Sequence, residues 1–133
     1  MNYQKIHDHI IENAKAENRE KKEGVYYEAH HIIPKCLGGK GSVTQYKTHS
    51  NIVLLTAKEH YICHKLLCEI YPDNDNIFYA YWYMCNVKAP NQKRIYTISV
   101  REYERVRIQY SQIISKRYKG RIPWNLGLTK DND

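Results

Sequence analysis

No stretch of this sequence approaches the unbroken apolar run of about 20 residues that a membrane helix needs. The opening Met1-Asn2-Tyr3-Gln4-Lys5 lacks the charged-then-apolar plan of a signal peptide. No membrane partner is therefore expected, and the chain should act in the cytoplasm where it is made. The four cysteines, Cys36, Cys63, Cys68 and Cys85, include no CxxC pair. That disfavours a zinc ribbon, and in a reducing compartment they should be free, buried thiols. There is neither an internal repeat nor a low-complexity segment.

What is present is enough chain for one compact domain plus a tail, with an uneven positive charge. The 133 residues carry a formal net charge of +7. Residues 1–24 are balanced at five basic and five acidic groups, whereas residues 99–133 hold eight basic against four acidic. A basic end suits a polyanionic partner, of which nucleic acid is the usual one.

Periodicity divides the chain into four parts. Residues 2–20 read as an amphipathic helix with Ile6, Ile10, Ile11 and Ala14 on its apolar face, closed by Lys21-Lys22-Glu23-Gly24, so that residues 1–24 form a helical preface. Its His7 and His9 fall on the polar side and are expected to be solvated, as is His49 further on. Residues 25–72 hold a short strand from Val25 through His31, stopped at Pro34, then a loop over 35–50 rich in Gly and polar side chains. Asn51-Ile52-Val53-Leu54-Leu55 follows as a second strand. Thr56-Ala57-Lys58-Glu59 has capping-box spacing and opens a helix that Pro72 stops.

Residues 73–118 should contribute two more helices. Asp73 can cap the first, which runs through the apolar segment Ile77 to Cys85. Ser99-Val100-Arg101-Glu102 opens the second as another capping box, with Tyr103, Val106, Tyr110, Ile113 and Ile114 as its stripe. Residues 119–133 carry Gly, Pro and Asn punctuation and read as an extended arm.

Two pairs of histidines fall at suggestive points. His60 and His64 are four residues apart and project from one helix face, as a metal-binding pair must. His30 and His31 are adjacent on a strand, so their side chains leave on opposite sides and cannot duplicate each other. One can join His60 and His64 around an ion while its neighbour is aimed elsewhere in the same site. Three imidazoles with an open position make a catalytic site rather than a closed structural one.

In order, Glu28-Ala29-His30-His31-Ile32-Ile33-Pro34, Gly38-Gly39, Asn51 and His60-x-x-x-His64 resemble the His-Asn-His (HNH) nuclease family, most of all its phage-encoded free-standing homing endonucleases. The spacing from Asn51 to His64 is also similar to that of the colicin DNase domains. The resemblance implies an α+β protein with a ββα-metal (His-Me finger) core flanked by helices, binding one divalent ion and hydrolysing the phosphodiester bonds of double-stranded DNA. It implies that His30, His60 and His64 are the metal ligands and His31 the general base. Asn51 would hold the loop or His31 in place, or lie close to the metal. Glu28 would orient a ligand or a basic side chain. The chemistry suits these residues, since a neutral imidazole with a pKa near 6.5 can take a proton from water at physiological pH. Zinc and nickel suit three imidazoles by affinity, and magnesium or manganese by availability.

The stretch Lys116-Arg117-Tyr118-Lys119-Gly120-Arg121-Ile122-Pro123-Trp124-Asn125 resembles a short DNA-binding module found after many such nucleases. It implies DNA contacts from Lys116, Arg117, Lys119, Arg121, Trp124 and Asn125, with Leu126 standing where relatives often have Lys. Two other readings are a noncatalytic DNA-binding module that keeps its metal for structure and a colicin-like toxin domain. A separate base beside the ligands speaks against the first, and the basic arm against the second.

Overall fold

Asn2 opens the first helix. Its side-chain oxygen accepts the backbone N–H of Lys5, satisfying one of the donors that a helix N-terminus leaves free. In the computed structural model, which describes residues 1–87, 92–93 and 96–120, this helix, α1, covers Tyr3–Ala16. It is shorter than the expected 2–20 because the chain turns away. Asn18 takes a left-handed φ of 48°, and Arg19 reaches across to a later helix, bonding both Glu59 oxygens and the Leu54 carbonyl. The face that α1 buries is His7, Ile11 and Ala14, whereas Ile6 is exposed.

Strands β1 (Glu28–His31) and β2 (Ile52–Leu55) pair antiparallel, with His30 opposite Val53 and Glu28 opposite Leu55. Val25 lies outside β1 and makes only an isolated bridge with Lys22. All four β2 residues are buried, as a short unbroken apolar run predicts, with α1 and the helix after β2 packed on the strand. The connection between the strands folds back on itself around a single 3-10 turn at Lys35–Leu37. At Gly39 a Cβ would sit 1.7 Å from the Ile33 carbonyl oxygen, so no side chain fits there.

Helix α2 spans Ala57–Ile70 and begins with the expected capping box: Thr56 Oγ1 accepts the Glu59 N–H at 3.1 Å and Glu59 accepts the Thr56 N–H at 2.9 Å. It ends at Tyr71, just before Pro72. Helix α3 is Asp75–Asn86, and its cap is Asn74 rather than Asp73, accepting from the Ile77 N–H. Helix α4 is Val100–Tyr118 with Ser99 as the expected cap. Its Glu102 is drawn away from the cap by Tyr81 and Arg105, so the box is not closed. Of the stripe expected on α4, Val106 is buried and Tyr110 and Ile113 pack beside it, while Tyr103 is exposed.

Among the described residues the protein is mixed, helical with one small antiparallel sheet, and has two apolar centres. Ile11, Ala14, Val53, Leu55 and Cys63 gather between α1, the sheet and α2. Phe78, Tyr81 and Val106 gather between α3 and α4. Cys63 is buried, Cys68 and Cys85 partly so, but Cys36 is exposed because it lies on the 3-10 turn rather than in either centre. Among the described residues no helix is long and apolar enough to cross a membrane.

Candidate metal centre

The two-residue period of β1 sets Glu28 and His30 on one face of the strand, and both are buried while Ala29 and His31 are less so. Helix α2 brings His60 and His64 to meet them. The His30 ring centre lies 5.2 Å from those of His60 and His64, which are themselves 4.8 Å apart. One potential ligand nitrogen from each of the three lies within 4.8 Å of the others. His60 Nε2 and His64 Nε2 approach to 3.1 Å.

Each ring has a distinct setting. Glu28 Oε1 is 2.7 Å from His60 Nδ1, and the Tyr26 hydroxyl donates to Glu28 Oε2. A carboxylate accepts, so His60 Nδ1 is the donor of this contact and its Nε2 is the ring nitrogen turned toward His64. His30 is 2% exposed. Burial, followed by the neighbouring imidazoles His64, His60, His7 and His31, holds its pKa well below the usual histidine range. It is therefore a neutral ring, with Nδ1 buried and without a hydrogen-bond partner. Three imidazoles around a shared point, with the buried His30 Nδ1 making no hydrogen bond, form a donor set that fits a divalent ion.

His31 points into the same cavity of about 290 Å³, whose wall includes His30, His60, His64, Lys35 and Cys36. Its Nε2 lies 2.8 Å from the Gly41 carbonyl oxygen. A carbonyl can only accept, so Nε2 carries the proton and Nδ1 is the basic nitrogen. Gly41 itself sits at a φ of 101°, with room for a Cβ closed off by Ile52 and His49.

Asn51 spends its whole amide on the loop. Oδ1 accepts the Ile33 N–H at 2.8 Å, and Nδ2 donates to the Ile33 and Lys40 carbonyls at 3.1 and 2.9 Å. Lys40 immediately precedes Gly41, so this clamp also places the carbonyl that holds His31. These three contacts tie the loop to Asn51. His49 assists by accepting the Asn51 N–H at Nδ1, and is half-buried rather than solvated.

His7 is the larger correction. It was expected on the solvated side of α1, where His9 is indeed exposed, but His7 is 1% exposed with its Nε2 3.4 Å from His30 Nε2. The signal was present: residues 7, 11 and 14 follow helical spacing, so His7 shares the face of Ile11 and Ala14. Tyr26, whose hydroxyl donates to Glu28, was not among the expected site residues, although the two-residue alternation of an extended chain puts it on the face of Glu28 and His30. At the other end, Lys116, Arg117 and Lys119 are exposed at the close of α4, with the Arg117 guanidinium 5.3 Å from the centre of the Tyr79 ring. Arg121, Trp124 and Asn125 lie outside the described residues.

No family model matches this chain, and no solved structure matches it. Among curated proteins it is 40% identical over 112 residues to "Probable mobile endonuclease E" of Enterobacteria phage T4, which covers 84% of this chain and 72% of that protein. It is 37% identical over 120 residues to "Probable mobile endonuclease D" of the same phage, covering 90% of this chain and 44% of that protein. "Probable mobile endonuclease C" is 36% identical over 88 residues, 66% of this chain and 38% of that protein. The chain therefore spans under half the length of two of these relatives and most of the third. It belongs to this family of phage mobile endonucleases.

Proposed function

We propose that the chain is a metal-dependent DNA endonuclease of the His-Asn-His type, with a ββα-metal core formed by β1, β2 and α2. The observation that carries this reading is the convergence of His30, His60 and His64 beside a separately anchored His31 in one cavity. A structural metal site has no use for that fourth imidazole.

In this reading His30, His60 and His64 hold one divalent ion. Magnesium, manganese, zinc or nickel bound there would relieve charge on a phosphodiester and its departing 3′ oxygen. Glu28, accepting from His60 Nδ1, holds that ring so that Nε2 would be the atom offered to the ion. His31, its Nε2–H given to the Gly41 carbonyl, takes a proton from the attacking water at Nδ1. Asn51 keeps the loop, and so the Gly41 carbonyl, in place. Lys116, Arg117, Lys119 and Arg121 neutralise phosphates of double-stranded DNA, and Trp124 and Asn125 complete the arm's contact. The relatives' names support nucleic acid as the substrate, and the site would act in the cytoplasm of a bacterial host.

The test is nicking of supercoiled plasmid by the purified chain across these four metals, with zinc affinity measured in parallel. His31→Ala should retain zinc affinity and lose cleavage by roughly 10²–10⁴-fold, the usual worth of a general base. Cleavage by His31→Ala at the wild-type rate would remove His31 from the mechanism. Cleavage that persists in excess chelator would remove the metal.

A further inference from the structure

His7 stands on the apolar stripe of α1 between the sheet and α2, a position where leucine would pack without desolvating a polar ring. A buried imidazole needs partners, and this one has few. Its Nε2 faces His30 Nε2 at 3.4 Å, while its Nδ1 makes no hydrogen bond and lies 3.8 Å from Asp8 Oδ1. Two facing ring nitrogens attract only if one carries the proton and the other does not. The Asp8 carboxylate favours the proton on His7 Nδ1, which leaves His7 Nε2 as the acceptor and His30 Nε2 as the donor. The remaining His30 nitrogen, Nδ1, is then the lone-pair atom, and it is buried and makes no hydrogen bond.

We propose that His7 is a positioning residue for the metal centre: it accepts the Nε2–H of His30 and so fixes the ring and tautomer in which His30 Nδ1 is the ligand atom. The inference rests on the metal site proposed above. It gives His30 the counterpart of what Glu28 gives His60, an acceptor behind the ligand ring that sets which nitrogen coordinates. It also explains why a polar residue occupies the inner face of α1 at all.

The competing use of the same atoms is a second ion among His7, His30 and Cys63, whose potential ligand atoms also lie within 4.8 Å of one another. An ion that took His30 Nε2 there would displace its hydrogen bond to His7, because a ring nitrogen that donates a proton has no lone pair to coordinate.

The experiment is titration of the full chain with cobalt(II), followed by the ligand-field spectrum and by zinc competition, for wild type, His7→Leu, His7→Met and His7→Gln, each checked for helical content. Wild type should bind one ion. Leu and Met should weaken binding by about 10–100-fold, the usual cost of removing the group behind a histidine ligand, and should shift the ligand-field bands. Gln, whose Oε1 can accept the same N–H, should recover most of the affinity. If the Leu variant does not fold, the unbranched and adaptable Met carries the comparison. Wild-type affinity and spectrum in the folded apolar variants would overturn the role of His7 while leaving the metal site intact. Binding of two ions, with a thiolate-to-cobalt charge-transfer band lost in Cys63→Ser, would overturn it in favour of the second site. A wild-type chain that takes up no cobalt would bring down the metal site itself and this inference with it.

Discussion

Tyr81 and His30 are both polar side chains almost wholly removed from water, but their surroundings are resolved in opposite ways. Around Tyr81, between α3 and α4, the polar contacts form a chain that ends on charge. The Tyr61 hydroxyl lies 3.0 Å from that of Tyr81, Tyr81 donates to Glu102 at 2.6 Å, and Arg105 bonds both Glu102 oxygens at 2.8 and 3.1 Å. Trp82 and Tyr110 stack beside it with ring centres 4.4 Å apart. Around His30, between β1, α1 and α2, the network is left open, with a buried nitrogen unused and three further imidazoles bordering one cavity. Paired and packed polar groups hold the α3–α4 half together. Unspent lone pairs in the other half cost stability and are retained where a ligand can use them.

The sharpest way to break this comparison is to damage the closed half and watch the open one. Phe78→Ala removes a ring that is 3% exposed, and should lower unfolding free energy by about 3–5 kcal/mol in urea titrations. Zinc affinity of the fraction that stays folded should not change. A parallel loss of affinity would mean that the two halves are one energetic unit.

A smaller effect is expected from the reverse experiment. Glu28→Gln keeps an oxygen near His60 Nδ1 but removes the charge that holds the proton there. Calorimetric titration with zinc should read a loss of about 10–100-fold in affinity, with little change in the urea midpoint of the metal-free protein. Unchanged affinity would show that Glu28 is only a packing partner of Tyr26.

The smallest effect concerns acid. Arg105 first, and Tyr81 after it, hold the Glu102 carboxyl down from the ordinary 4.5 to about 2. A carboxylate with a depressed pKa contributes stability that is complete above about 4.5 and is lost as pH falls toward about 2. The slope of Tm against pH in that window should be shallower in Glu102→Gln than in wild type. Equal slopes would place the acid sensitivity outside the α3–α4 network.

Much of the local geometry of the candidate site is legible in the sequence, for reasons confined to short stretches of chain. The four-residue step from His60 to His64 fixes a shared helix face. The box from Thr56 to Glu59 fixes where that helix starts, and Pro72 where it stops. Strand alternation separates His30 from His31. Local rules were weakest where side chains compete for partners. Asn74 displaced Asp73 as a cap, and Tyr81 and Arg105 drew Glu102 away from its cap. The left-handed turn at Asn18 shortened α1.

The sequence by itself determined which chemical groups are available and in what local order: a histidine pair on a helix, another on a strand, and an asparagine before the second strand. Only the tertiary structure decided what each of them touches. The docking of α1 on the sheet and α2 turned His7 from a surface residue into the neighbour of His30, 23 residues away. The docking of α2 on β1 put Glu28 behind His60, 32 residues away. The folding back of the loop gave Asn51 three backbone partners. Periodicity reports which side of an element a residue occupies, but contacts across such separations follow from the burial of whole faces. In α1 the face buried was the one that carries His7.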